Sequence, residues 1–219
     1  MSAASAVALH EVSHAAEDGA ALCGMSADFA PGAFHLVRGG SCAVRSLLLR
    51  LLGLMMRPDR GEVLLRGQPT RDLGEDARGE LRSRQCGFVF ATPFLLAEFT
   101  VLENVAMPLF KVSQVGPAEA RRRSEAALAF TGLAAAASSP AAGLPLDAQF
   151  RVALARALVN EPAVLLVENP DADLAALLRS AAERYGACVI ATASHALPVE
   201  AADRVLDLDA AVSETLREP

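Results

Sequence analysis

Lysine is nearly missing from this chain: Lys111 is the only one among 219 residues, and arginine carries almost all the positive charge. With abundant alanine, that bias matches the residue usage of a GC-rich genome and says little about function. An excess of positive charge is missing too. The net charge is −6 and the isoelectric point about 5.3, which argues against a nucleic-acid partner, since such proteins usually show a basic stripe. No apolar run reaches the roughly 20 residues of a membrane-spanning helix. The most apolar, Ser46 to Met56, is interrupted by Arg50. The N-terminus carries Glu11, Glu17 and Asp18 and no basic start before an apolar stretch, so an export signal is not expected and the chain is expected to stay in the cytoplasm. Cys23, Cys42, Cys86 and Cys188 lack pair spacing, which excludes a disulfide framework or a cysteine metal site. They read as small buried hydrophobes.

What is present suits one domain over residues 1–219. Hydrophobic residues make up 53% and the mean hydropathy is +0.31, so the chain can bury a sizeable core and is not disordered. Ala33 to Val37 reads as a strand entering a turn at Gly39-Gly40. From Ser46 to Leu54 leucines recur at helical spacing until Gly53 and Pro58 stop the run. Glu62 to Leu65 and Phe88 to Phe90 read as strands. Pro117, at the first turn of an apolar pattern running to Leu133, marks a helix. Ala134 to Pro145 reads as a loop, Arg151 to Val159 as a helix and Ala163 to Val167 as a parallel-sheet strand. Leu174 to Tyr185 is a further helix, and Cys188 to Thr192 and Val205 to Leu208 are strands. The alternation predicts βαβ units and a parallel sheet, with a helix-rich insert over about residues 92–150.

One series is more specific. It runs Gly61-Glu-Val-Leu-Leu-Arg-Gly67, Gly87-Phe-Val-Phe90, Phe94-Leu-Leu96, then Thr100-Val-Leu-Glu-Asn-Val-Ala-Met-Pro-Leu109. The chain resembles the ATP-binding subunit of ABC transporters, nearest the lipoprotein-release and macrolide-export types, from about Leu22 to Leu208. The resemblance implies an α/β fold: a P-loop NTPase-like core with a parallel sheet, an N-terminal antiparallel β part and an inserted helical subdomain.

In that framework a phosphate loop uses glycines to wrap backbone N–H groups around phosphates, a lysine to reach the β/γ-phosphates and a hydroxyl to hold magnesium. Here the loop reads Gly39-Gly-Ser-Cys-Ala-Val-Arg-Ser46. Cys42 and Val44 stand at glycine positions, Arg45 at the lysine position and Ser46 at the magnesium hydroxyl. The resemblance implies a remnant nucleotide site at Gly39, Gly40, Ser41, Arg45 and Ser46. The residues alone, with two glycine positions filled, rather describe a tight strand-to-helix turn with a surface arginine. Val44 resists the positive φ that glycine supplies, and Arg45 is a broad planar fork where a compact ammonium belongs.

The other catalytic positions are altered as well. Glu168-Asn169-Pro170 stands where the family has Asp-Glu-Pro. Asn169 therefore replaces the general base, a group that typically contributes about 10²–10⁴-fold, and Glu168 replaces the magnesium-orienting aspartate. Ala91 occupies the place of the glutamine after Phe90, and Ser194 the place of the switch histidine, with His195 adjacent. The signature sequence aligns with Leu144, Pro145, Leu146, Asp147 and Ala148, so its serine and glycines are gone and a negative charge is added. His14, the nearest candidate for an adenine-stacking residue, reads as a surface side chain. None of the catalytic positions is intact, no metal site is expected, and ATP and magnesium are expected only if the remnant loop works.

By resemblance, Phe94, Leu95, Leu96, Glu103 and Asn104 border the groove that receives a permease helix; the same stretch could instead fill the helical subdomain's core. The implied partners are a membrane permease subunit and a second ATP-binding subunit, in a homodimer or heterodimer, with no nucleic acid. The implied location is the cytoplasmic face of the membrane. The expected function is a catalytically degenerate subunit with a structural or regulatory role. Two alternatives stay open: a slow but active ATPase energising export or lipid and lipoprotein transport, and an interaction module with no membrane partner.

Overall fold

The computed structural model describes residues 5–193, 197, 200 and 202–209. The chain begins with β1 (Val7–Ala15) and β2 (Ala21–Phe29), an antiparallel pair, and continues into β3 (Phe34–Arg38). Helix α1 (Cys42–Leu52) follows, then β4 (Arg60–Leu65), the short β5 (Gln68–Pro69), α2 (Glu75–Gln85) and β6 (Cys86–Val89). A helical insert comes next, with α3 (Val101–Pro108), a π-helical turn Leu109–Ser113 and α4 (Pro117–Phe130). The chain then passes through α5 (Leu146–Leu158), β7 (Val164–Glu168), α6 (Ala172–Tyr185), β8 (Cys188–Thr192) and β9 (Arg204–Asp207).

Two sheets result. One is antiparallel in the order β2-β1-β4-β5, and the other is parallel in the order β6-β7-β8-β3-β9. Side chains on a strand alternate between faces, so β7 feeds two cores at once. Val164 and Leu166 pack with the α1 leucines and the antiparallel sheet, while Leu165 and Val167 pack against α5 and α6. Helix α1 is thus clamped between the two sheets. A third cluster joins Val101, Val105 and Leu109 to α4, to Val152 and Ala155 of α5 and to Val159 just past its end. Helix α5 therefore straddles residue 150, where the insert was expected to end. The expected loop over residues 134–145 carries two 3₁₀ turns, Ala134–Ala136 and Ala141–Gly143. Among the described residues no helix is long and apolar enough to cross a membrane.

Local chemistry sets the element ends. Thr100 and Glu103 form a reciprocal capping box at the start of α3. Asp171 caps α6 by accepting the Leu174 N–H at 2.7 Å, and Gly186 ends it in the left-handed conformation. Two of the four cysteines, Cys86 and Cys188, are buried as expected, and burial pushes both thiols up to about 12. Cys23 and Cys42 are exposed, contrary to expectation. Cys23 lies on the outward face of β2, and Cys42 starts α1 on its solvent side.

Candidate functional site

All five parallel strands point their carboxyl ends the same way, the edge at which open α/β sheets bind ligands. Gly39 and Gly40 follow β3 there with φ of +77° and +60°, two successive left-handed residues that make the sharp turn into α1. Helix α1 starts at Cys42, four residues before the leucine pattern predicted. Its first turn consumes the loop: Ser41 Oγ accepts the Val44 N–H at 3.2 Å, and Ser41 O accepts the Arg45 N–H at 3.1 Å. Ser46 consequently lies one turn inside a regular helix.

Arg45 is not the surface residue expected. It is only 9% exposed, and its Nη1 donates to the carbonyls of Gly39 at 3.0 Å and Gly40 at 2.7 Å. The guanidinium closes back on the turn that precedes it. Two carboxylates press on the same turn, one from the end of β9 and one just beyond it. Asp209 Oδ1 accepts the Gly40 N–H at 2.9 Å, and Asp207 Oδ2 accepts from Arg38 Nε at 3.0 Å. A Cβ on Gly39 would meet Asp207 Oδ1 at 2.7 Å and Asp209 Oδ2 at 2.8 Å. Sequence reasoning missed both aspartates, because no motif marks them; the parallel pairing Arg38↔Asp207 brings them in from 169 residues away.

At the end of β7, Glu168 is half-buried and its Oε2 accepts the Ala91 N–H at 3.0 Å. Two expected positions therefore meet, as a carboxylate on a backbone amide. Asn169 adopts φ of +46°, and its N–H donates to Thr192 O at 2.7 Å. Ser194 and His195 lie outside the described residues. His14 is half-buried on β1 rather than at the surface, with Nδ1 3.2 Å from Asp59 Oδ1.

The signature segment does open a helix. Pro145 is the N-cap of α5 and offers no side-chain cap, Leu146 is exposed, Asp147 sits in the first turn, and Ala148 is buried. Gln149 Nε2 donates to Leu144 O at 2.9 Å and pins the approach to the helix.

The stretch after Phe90 divides into exposed and buried parts. Phe88, Phe90 and Phe94 form a ladder of ring contacts, with centroids 5.6 and 5.8 Å apart, that ends in the solvent with Phe94 64% exposed. Phe94 is held at φ of +46°, an unusual backbone for phenylalanine. Arg156 fixes that turn, donating to Phe94 O at 2.8 Å and Pro93 O at 2.7 Å; burial lowers its pKa from the ordinary arginine value. Leu96, Phe99, Met107 and Phe110 are also exposed. Leu95 packs inward between two clusters. Glu103 spends its carboxylate on the α3 cap, whose N–H and hydroxyl lower its pKa. Asn104 is buried and cannot face a partner: it accepts the Leu96 N–H at 2.8 Å and donates to Leu96 O and Thr100 O at 3.0 Å.

A parallel sheet with a glycine turn into a clamped helix, an antiparallel flank and a helical insert ending in a signature-position helix defines an ATP-binding cassette. The chain belongs to the ABC transporter family, whose model matches residues 22–172. It is 44% identical over 153 residues to the lipoprotein-releasing system ATP-binding protein LolD of Maricaulis maris, covering 70% of this chain and 66% of that protein. The LolD of Pseudomonas fluorescens is 41% identical over the same length, covering 70% and 67%. The match thus spans about two thirds of these relatives. Among solved structures, the dimeric bacterial ABC transporter cassette MJ0796 superposes with a TM-score of 0.82 at 27% identity, covering 92% of this chain and 93% of that one.

Proposed function

We propose that this chain is a catalytically degenerate ABC subunit that binds Mg–ATP weakly or not at all and serves as a structural or regulatory partner of a membrane permease. The observation that carries the reading is Arg45, which donates to Gly39 O and Gly40 O instead of projecting toward a ligand. A triphosphate needs free N–H donors around the loop. Here the Val44 and Arg45 amides are spent on Ser41, the cap of α1, and the Gly40 amide is spent on Asp209. The residues present do not fit a magnesium–triphosphate group. Asn169 offers no carboxylate to accept a proton from water. Asp147 adds negative charge at the helix end that would otherwise favour a partner's phosphate.

The partner role is supported by the apolar side chains that stay in solvent around α3. Phe94, Leu96 and Phe110 suit a permease helix, with Arg156 locking the Phe94 turn. Leu95, Glu103 and Asn104, also expected in that groove, shape it from within. Such a subunit would sit on the cytoplasmic face of the membrane, in a homodimer or with a second ATP-binding subunit.

The test is magnesium-dependent turnover of the purified chain, alone and reconstituted with its permease and any second ATP-binding subunit. The reading expects no hydrolysis attributable to this chain. Turnover at rates usual for the family, abolished by changing Ser46 and Glu168, would establish the active-ATPase alternative instead.

A further inference from the structure

At the end of α1 remote from the glycine turn, the chain runs through Arg57 and Pro58 into β4 and leaves a cavity of about 260 Å³. Three arginines line it, Arg57, Arg71 and Arg78, with one acidic residue, Asp72. Arg78 is only 6% exposed, and its Nε is buried with no hydrogen-bond partner. Its Nη2 donates to Glu75 Oε2 at 2.8 Å, a carboxylate that is itself largely in solvent. A buried guanidinium with an unpaired N–H is costly unless something else accepts it.

The other two arginines are held in place by main-chain oxygens. Arg57 donates to Arg71 O at 3.3 Å and Leu73 O at 2.6 Å, and Arg71 Nη1 donates to Gly61 O at 2.9 Å. Each guanidinium has five N–H donors, and these bonds use only part of the set. The nearby Glu62 is already engaged, accepting the Thr70 and Arg71 N–H groups.

We infer that this cavity binds a phosphate-type oxyanion, either inorganic phosphate or the phosphoryl group of a small phosphomonoester. One fork already pairs with a carboxylate, whereas a lining with three arginines and a single aspartate matches the several acceptor oxygens of a tetrahedral dianion. The volume corresponds to roughly eight or nine waters at about 30 Å³ each, enough for a phosphoryl group and a short substituent. The site is separate from the glycine turn, so it stands whether or not the chain binds ATP.

The experiment titrates inorganic phosphate, glycerol 3-phosphate and chloride, at matched ionic strength, into the full chain by calorimetry. Saturable one-to-one binding of a phosphate compound is expected, weakened at least about tenfold in Arg57→Gln and in Arg71→Gln. Both side chains are exposed, so these variants fold even if Arg78→Gln does not. Tighter binding of glycerol 3-phosphate assigns the site to an organic phosphate, and tighter binding of phosphate assigns it to the free ion. Equal heats with chloride, absence of binding, or phosphate binding that survives both substitutions would overturn the inference.

Discussion

Arg45 Nη1 lies 2.7 Å from the carbonyl oxygen of Gly40, so the cation that follows the glycine turn is bound to the turn itself. The contact couples two sequence features that look separable: a changed charge and a changed loop. Replacing Arg45 by lysine alone leaves Val44 in the first turn of α1 and the amides consumed. R45K is therefore expected to give no measurable nucleotide binding. Restoring Gly at 42 and 44 together with R45K is expected to tighten binding of a fluorescent ATP analogue at least about tenfold. Full recovery by R45K alone would show that the helix start is not the obstacle.

Asn104 holds the Leu96 to Thr100 turn against α3. Asn104→Ala strands the Leu96 N–H and several carbonyls, and should lower stability by about 2–3 kcal/mol. Thr100→Ala, which removes only a helix cap, should cost about 1 kcal/mol. Urea denaturation of the two variants should preserve that order; a milder loss for Asn104→Ala would mean solvent replaces its bonds.

Gly87 on β6 passes so close to the end of α5 that a Cβ would sit 2.6 Å from Ala157 O. The obstacle is backbone and cannot rotate away. Gly87→Ala should destabilise by about 1–3 kcal/mol. A thermal midpoint equal to wild type would refute that packing.

His35 supplies a pH dependence. Burial, above all, pushes its pKa below the ordinary 6.5, with Arg204 acting the same way, while the Ala30 hydrogen bond and Asp203 oppose it. As pH falls through 6.5 the unfolded chain takes up the proton first, so stability drops until the folded state's lower pKa is reached. The neighbouring Asp203 is held below the usual carboxylate range, chiefly by the Phe34 N–H and also by Arg179. Its contribution is complete above the unfolded carboxylate range and disappears as pH falls through the folded one. Urea midpoints from pH 8 to pH 5 should decline, and His35→Phe should flatten the part nearest 6.5. An unchanged slope in that variant would remove His35 as the cause.

The sheet and most helices were legible because their signals are periodic and local. β7 is one apolar run, α4 starts with Pro117, and the alternation of strands with helices predicts the parallel order of connections. The insert could be placed because the Thr100 to Leu109 stretch follows the family pattern; the capping box that opens α3 emerges only in the structure. Less legible was everything set by distant neighbours. Cys42, Ala43 and Val44 carry no strong helical pattern, so the early start of α1 emerges only from the Ser41 cap and the sheets on either side. Arg45 looks like a surface cation until two carbonyls six and five residues back are seen to accept it. Asp207 and Asp209 reach the turn only through the pairing of β3 with β9, which no motif announces. The buried Asn104 was misplaced for a related reason: its four-partner closure depends on how the preceding turn folds.

Calorimetric titration of Mg–ATP into the full chain reaches the central claim most directly. With the loop's amides and its cation bound internally, no saturable binding is expected below about 1 mM, equivalent to less than about 4 kcal/mol of binding free energy. A one-to-one isotherm in the low micromolar range, lost on Ser46→Ala, would contradict it.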